Sequence, residues 1–182
     1  MAALTTPPVT KGWKAADFLL PATDGNSYSP NDICGENGLV VMFISNHCPF
    51  VKGILHKLVE EMAALKAHGI NSIAIMSNDV EAYPEDDFAH MRDVAEKMQF
   101  SFPYVWDETQ EVAKAYDAVC TPDFFGFDKD LKLQYRGRFD ASRFEQKENA
   151  ERDLFNAMVQ IAKTGTAPEE QWHSKGCSIK WK

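Results

Sequence analysis

The spacing of hydrophobic residues changes at Cys48. Before it, residues 38–45 (GLVVMFIS) form a continuous apolar run, which is typical of a strand buried on both faces. After it, until Gly69, apolar residues recur at helical spacing: Val51, Ile54, Leu55, Leu58, Val59, Met62 and Leu65. The pattern predicts a strand, a helix that begins near Cys48, and a further strand over residues 70–77.

The same alternation continues toward the C-terminus. Pro84 and the acidic residues after it predict a second helix, because proline fits the first turn and carboxylates suit the positive end. Four further predictions follow in order: a strand over 103–107, a helix over 108–117, hairpin strands over 123–127 and 132–138, and a helix over about 148–163. The order β-α-β-α-β-α-β-β-α predicts an α/β fold with a mixed sheet flanked by helices.

The two ends of the chain extend beyond this pattern. Residues 1–12 contain two prolines and are interpreted as an arm, and residues 17–29 predict a strand, a turn and a return strand. The length of 182 residues predicts one domain, with a core over about 13–163 and a C-terminal tail over 164–182.

Composition and charge restrict the function. The net charge of −8 argues against nucleic acid and anionic membranes as partners. The first twelve residues lack a signal-peptide pattern, and no apolar run approaches the roughly 18 residues of a membrane span. The expected compartment is the cytoplasm, and no cofactor is predicted.

Cys48 is the strongest candidate for chemistry. A thiolate at a helix N-terminus is stabilised by free backbone N–H groups and by the helix dipole, and Pro49 fits the first turn. Ser45 is a candidate hydrogen-bond donor to this thiolate, and Lys52 a candidate source of positive field. The competing interpretation is that Cys48 is a small buried residue at the end of a strand.

Two motifs give the chain a resemblance to a known family. SNHCPFVK (45–52) after an apolar strand, together with CTPDFFGFD (120–128), resembles the thioredoxin-like superfamily and, within it, the alkyl hydroperoxide reductase/thiol-specific antioxidant (redoxin) branch. The ending GCSIKWK (176–182) is similar to a subgroup of peroxiredoxin-like proteins. The resemblance implies a thioredoxin-like fold, a cis bond between Thr121 and Pro122, and binding of an extended substrate by Pro49, Thr121 and Pro122.

The chain also departs from the patterns of this superfamily. Val51 replaces the second cysteine of the thioredoxin motif, and Met42 replaces its buried acid. Peroxiredoxins place an arginine beside the reactive thiol, whereas Arg136 and Arg138 lie further along this chain. Thiol chemistry is therefore expected, and high peroxidase activity is not.

Two cysteines are candidates for a resolving thiol, and the sequence leaves both open. Cys120 is favoured, because the resemblance puts the loop at Thr121 opposite Cys48. Cys177 lies in a tail whose Trp172, Ile179 and Trp181 would hold it against the domain or against a partner subunit in a homodimer. Cys34 is interpreted as a bystander, and the sequence predicts no metal site because there is no C-x2-C pair.

Two classes of function follow. In the first, the protein is a thiol–disulfide oxidoreductase or peroxiredoxin-like antioxidant enzyme whose Cys48 attacks a protein disulfide or a peroxide and which a dithiol reductant restores. In the second, the chain is a non-enzymatic docking module that keeps the scaffold without the chemistry. A reactive thiolate at Cys48 would distinguish the first class from the second.

Overall fold

A computed structural model describes residues 3–142, 147 and 149–182. The strands are β1 (Ala3–Thr5), β2 (Leu20–Pro21), β3 (Ser27–Tyr28), β4 (Gly38–Phe43), β5 (Ile70–Met76), β6 (Tyr104–Trp106), β7 (Cys120–Thr121), β8 (Asp123–Phe127), β9 (Leu133–Gly137) and β10 (Lys175–Ser178). The helices are α1 (Pro30–Ile33), α2 (Pro49–Lys66), α3 (Phe88–Lys97), α4 (Glu111–Ala115) and α5 (Asp153–Thr164), with a 3-10 turn over Pro84–Asp86.

A five-stranded sheet in the order β6-β5-β4-β8-β9 forms the centre of the fold. The strands β4, β5 and β6 are parallel, and β8 and β9 continue the sheet in antiparallel pairs. Every residue of β4 is buried, as its continuous apolar run predicts. The predicted mixed sheet flanked by helices is confirmed.

The two faces of this sheet are covered differently. Residues of α2, α3 and α5 pack against the face that includes Val40 and Met42. The opposite face, with Val41 and Phe43, packs against the segment around Phe18, against Tyr116 at the end of α4, and against Ile179. Side chains of β4 alternate between these two clusters because successive residues of a strand point to opposite faces.

Three predicted helices differ from the observed ones. The helix predicted over 108–117 is the shorter α4, which begins at Glu111 and ends at Ala115. The second predicted helix begins as a 3-10 turn, and α3 starts only after Asp87, whose side chain accepts from the backbone N–H of His90. The last helix begins at Asp153; of its predicted first residues, Glu148 lies outside the described residues and 149–152 are not helical. In this segment a non-helical backbone hydrogen bond forms instead: the N–H of Ala141 donates to the carbonyl of Glu151.

The two ends of the chain meet in a second sheet of three strands, in the order β1-β10-β7. The predicted arm thus contains a strand, in which Ala3 pairs with Cys177. The tail folds back over its own domain and pairs with β7. None of the helices in the described ranges is both long and apolar enough to cross a membrane.

Candidate active site

Cys48 lies between the central strand and the longest helix. The strand β4 ends at Phe43, the loop 44–47 follows, and Cys48 is the N-cap residue of α2 with Pro49 in the first helical position. The backbone N–H of Lys52 donates to the carbonyl of Cys48 at 2.9 Å, which starts the helical hydrogen bonds. The side chain has no solvent exposure (0%), so the thiol is enclosed by its neighbours.

Thr121 and Pro122 face the thiol from the junction between β7 and β8. Their peptide bond is cis, as the family resemblance implies. The thiol of Cys48 donates to the carbonyl oxygen of Thr121, with 3.1 Å between sulfur and oxygen. This loop connects β7 to β8, and β8 pairs with β4 as far as Phe43 opposite Asp123.

Cys177 is the second sulfur at this site. Its Sγ lies 3.1 Å from that of Cys48, although the two residues are 129 positions apart in sequence. Burial raises the pKa of the Cys177 thiol, with a contribution from the hydrogen bond with Cys48, while the backbone N–H of Phe50 acts in the opposite direction. The first two of these effects favour the thiol form of Cys177 beside Cys48.

Cys120, the favoured candidate from sequence, is not the sulfur in contact with Cys48. In the antiparallel pair, Cys177 lies opposite Thr121 and Ser178 opposite Cys120. Because side chains alternate along a strand, Cys120 leaves β7 on the opposite side from Thr121. Its sulfur contacts the carbonyl of Pro122 at 3.6 Å, and burial raises the pKa of its thiol.

Cys34 lies away from these groups, in the loop after α1. Its side chain is half-buried, and its sulfur contacts the carbonyl oxygens of Gly35 and Lys129.

The two supporting residues are placed differently from the expectation. The buried hydroxyl of Ser45 lies 3.3 Å from that of Thr121, so its hydrogen bond within the described chain goes to the loop and not to the thiol. Lys52 is exposed on the first turn of α2, where solvent screens its charge. In the described ranges, neither of these two side chains makes a hydrogen bond to the Cys48 sulfur, whose partners are Thr121 and Cys177.

Sequence reasoning missed a buried carboxylate, Asp86, that holds the loop before Cys48. Its side chain is fully buried and accepts from the backbone N–H groups of Asn46 (2.7 Å) and His47 (3.1 Å). The Nδ1 of His47 lies 2.5 Å from the same carboxylate, and Asn78 donates to it at 2.8 Å. Asp86 belongs to the acidic run after Pro84, where sequence gives no signal that one carboxylate turns inward.

The His47 ring is fixed on two sides. It stacks on Tyr83 with ring centres 4.9 Å apart, and its side chain is only 6% exposed. Its Nε2 is buried and has no hydrogen-bond partner in the part of the chain that the structure describes. The Asp86 carboxylate thus connects His47, the residue before Cys48, to Asn78.

Asn78 and Gln110 attach the end of the tail to the domain. The side-chain oxygen of Asn78 accepts from the backbone N–H of Lys180 at 2.9 Å. The amide of Gln110 donates to the carbonyls of Ser77 and Lys180, and its oxygen accepts from the N–H of Lys182. These contacts place the tail after Cys177 in one defined path.

The arginines of β9 and the following loop are paired with carboxylates. Arg136 is buried and bonds to Asp123 at 2.9 Å, and Arg138 bonds to Asp153 at 2.9 Å. Arg138 does line a groove of about 600 Å³ beside the site, whose walls include Pro49, Phe50 and Pro122. The groove thus lies next to the residues that flank Cys48 and Thr121.

In the described ranges, no group of three or more His, Cys, Asp or Glu is arranged to hold a metal ion. The site brings together two adjacent sulfurs and the hydrogen bonds around them.

Solved structures similar to this chain fall into two groups. An uncharacterized conserved protein from Geobacillus kaustophilus is 45% identical, with 100% of this chain and 97% of that chain covered and a TM-score of 0.94. A hypothetical protein from Sinorhizobium meliloti is 37% identical, with 98% of each chain covered and a TM-score of 0.92. The thioredoxin domain of a thiol-disulfide oxidoreductase from Bacteroides vulgatus is 18% identical, with 85% and 99% covered and a TM-score of 0.65, which shows the thioredoxin-like fold.

No curated protein matches the chain. The model of the AhpC/TSA family matches residues 12–136, which is more than half of the chain and includes Cys48 and the Thr121–Pro122 loop. This match supports a redox function in general. The chain belongs to the AhpC/TSA family, in the redoxin branch of the thioredoxin-like superfamily.

Proposed function

We propose that the protein is a thiol–disulfide oxidoreductase in which Cys48 is the nucleophile and Cys177 is the resolving thiol. The observation that carries this proposal is the 3.1 Å distance between the two sulfurs. A disulfide bond is about 2.05 Å long, so a shift of roughly 1 Å closes it. Cys120, the other candidate for the resolving role, contacts a backbone carbonyl instead.

The reaction begins with the thiolate of Cys48, which attacks one sulfur of a substrate disulfide. The bond between the two substrate sulfurs breaks, a mixed disulfide forms on Cys48, and one substrate thiolate leaves. Cys177 then attacks the sulfur of Cys48, its proton passes to the second leaving thiolate, and the Cys48–Cys177 disulfide forms. The substrate gains two electrons and the protein loses them, and an external dithiol restores the reduced state.

A hydroperoxide would follow the same sulfur path. Attack by the thiolate of Cys48 breaks the O–O bond, and one added proton leaves a sulfenic acid and an alcohol or water. Cys177 then displaces water from the sulfenic acid and forms the same disulfide. The arginines favour a disulfide over a peroxide as the oxidant, because each of them is paired with a carboxylate. Arg136 forms an ion pair with Asp123, and Arg138 forms one with Asp153.

Non-reduced peptide mapping by mass spectrometry tests the proposal after one equivalent of hydroxyethyl disulfide, with hydrogen peroxide in parallel. We expect a Cys48–Cys177 bridge in the wild type and in Cys120→Ser. In Cys177→Ser, Cys48 should remain as a mixed disulfide, and Cys48→Ser should abolish turnover. A Cys48–Cys120 bridge in the wild type would contradict the assignment of Cys177.

An untouched Cys48 under both oxidants would instead favour the docking module. That class would need an open strand edge beside Thr121 for a protein partner, and β10 is paired there. We propose the cytoplasm as the compartment, because a reducing environment returns such a pair of cysteines to thiols.

A further inference from the structure

The strand edge next to Cys48 is taken by the chain itself. The strand β7 ends at Thr121, whose carbonyl accepts from the Cys48 thiol, and β10 pairs with it antiparallel. The other edge of β10 is paired with β1. An extended peptide that binds a sheet by adding a strand needs a free edge of this kind.

The contact between β10 and β7 is close enough to require glycine at one position. A Cβ atom added to Gly176 would overlap the carbonyl oxygen of Thr121. Next to it, the buried hydroxyl of Ser174 donates to the carbonyl of Pro122 at 2.9 Å. The tail therefore meets the loop that faces Cys48 by direct backbone contact and leaves no space for another chain.

Both ends of β10 are anchored. Before the strand, Thr6 and Ser174 exchange two hydrogen bonds, one of which joins the N–H of Ser174 to the Thr6 hydroxyl at 3.0 Å. After it, Ile179 is buried, its N–H donates to the carbonyl of Val119, and Lys180 is held by Asn78 and Gln110. Separating β10 from β7 therefore breaks several hydrogen bonds and exposes one buried apolar side chain.

The consequence for Cys48 is a thiol that a large reactant cannot reach. Cys48 has no exposed surface and Cys177 has 3%. The groove whose walls include Pro49, Phe50 and Pro122 gives a small molecule a place beside the residues that follow Cys48 and Thr121 in the chain, although neither Cys48 nor Cys177 is among its lining residues. A polypeptide disulfide must bring backbone as well as sulfur to Cys48, and β10 occupies the edge along which it would lie.

We infer that β10 determines substrate class: while it is paired with β7 it excludes polypeptide disulfides, which react only when β10 separates from Thr121, whereas a small disulfide reaches Cys48 from the groove beside Pro49 and Pro122 through side-chain movement alone. The inference rests on the proposed exchange between Cys48 and Cys177. The same residue, Cys177, then serves as the resolving thiol and forms part of the barrier.

Two variants that disturb β10 by different means test the inference. Gly176→Ala forces a Cβ against the carbonyl of Thr121, and deletion of residues 180–182 removes the anchors at Asn78 and Gln110 while it keeps Cys177. Gly35→Ala is the matched control, because a Cβ at Gly35, in the loop after α1, would overlap the carbonyl oxygen of Gly69 in the same way without touching β10. The reduced proteins react in single turnover with insulin or with hydroxyethyl disulfide, and acid-quenched samples are alkylated and analysed by mass spectrometry.

We expect the insulin rate constant, divided by that for hydroxyethyl disulfide, to rise at least tenfold in both β10 variants and to stay at the wild-type value in Gly35→Ala. If insulin reacts equally fast with the wild type and with both β10 variants, the inference is overturned. If the wild type forms no Cys48–Cys177 disulfide with hydroxyethyl disulfide, the proposed function itself fails. The two failures are thus separate results of one experiment.

Discussion

The five-stranded sheet and the three-stranded sheet contribute different things to the same site. The first contains the continuous apolar strand β4 and, through the loop after it, holds Cys48 at the start of α2. The second joins residues near both ends of the chain and carries Cys177. The sulfur that starts the proposed reaction thus belongs to the buried β-α unit at the centre of the fold, and the sulfur that completes it belongs to the peripheral sheet.

The difference shows how the fold supplies a second sulfur when the helix that starts at Cys48 carries none. Val51 stands where a second cysteine of the helix would lie, and the structure brings Cys177 to Cys48 from 129 residues away. A partner on the same helix turn stays near the nucleophile whenever the helix is formed. A partner on β10 stays near it only while β10 is paired, so access and resolution depend on the same contacts.

Replacing a core residue of α2 should have the largest effect on stability. Leu58 has no exposed surface, and Leu58→Ala leaves a cavity against the five-stranded sheet. We expect a loss of about 4 kcal/mol in the free energy of unfolding, measured by urea denaturation. A loss below about 1 kcal/mol would show that this part of the core repacks freely.

Removing the buried carboxylate should affect both regions at once. Asp86→Ala leaves the N–H groups of Asn46 and His47 and the amide of Asn78 without their acceptor. Each unsatisfied buried group costs about 1–3 kcal/mol, and water that enters the site offsets part of the sum, so we expect a loss of about 3 kcal/mol. Hydrogen exchange should also show a faster rate at the Lys180 amide, since Asn78 binds it.

For the same carboxylate, Asp86→Asn is the control of matched size. It keeps one oxygen acceptor, so its loss of stability should be smaller than that of Asp86→Ala. Equal losses would mean that neither the volume of the side chain nor a single acceptor oxygen holds the loop before Cys48, and that both carboxylate oxygens are required.

Shortening the Ile179 side chain, which anchors the tail after β10, should make the opening of β10 easier. Ile179 is 3% exposed and packs on the face of the sheet opposite α2. Ile179→Ala should lower the free energy of opening β10 by about 2 kcal/mol. Since 1.4 kcal/mol corresponds to a factor of ten, the amides of Ile179 and Lys180 should exchange about 30-fold faster.

The same variant separates the two sheets experimentally. In the wild type and in the variant, amides of β4 and β5 should have a higher free energy of opening than those of the tail, because their exchange requires opening of the core. Equal free energies of opening for tail and core amides in the wild type would mean that the three-stranded sheet opens only with global unfolding.

The smallest effect is expected at Ser45. Its hydroxyl makes a 3.3 Å contact with that of Thr121, and Ser45→Ala should lower the free energy of unfolding by about 1 kcal/mol. Ser72→Ala on β5 is the matched control, because the buried Ser72 hydroxyl has no hydrogen-bond partner in the described ranges. A Ser45 variant no less stable than the Ser72 variant would show that the contact with Thr121 contributes nothing.

Sequence patterns predicted the elements of the central sheet well and the periphery poorly. The apolar run of β4 and the helical spacing of α2 are local signals that burial on one or two faces imposes directly. The predicted start of the last helix was wrong for residues 149–152, because backbone bonds with residues 139–141 replace helical ones there. Such bonds depend on segments that only the fold brings together.

The cysteine pairing illustrates the same limit at the site. The family resemblance correctly indicated that the loop at Thr121 faces Cys48, and it favoured Cys120 because that residue adjoins the loop. Register determines on which side of a strand each side chain lies. The two-residue strand β7 is too short for an alternation of apolar residues that would fix its register from sequence. The inward turn of Asp86 has no local signal for the same reason.

The sequence by itself determined the β-α unit that holds Cys48, the mixed sheet around it and the cysteine–proline pair at the helix start, because these follow from periodicity and local backbone chemistry. Only the tertiary structure decided that Cys177 lies against Cys48, that β10 closes the edge beside Thr121 and that Asp86 holds the loop before the thiol. Those contacts join residues far apart in sequence, and their energy exists only once the rest of the chain has folded.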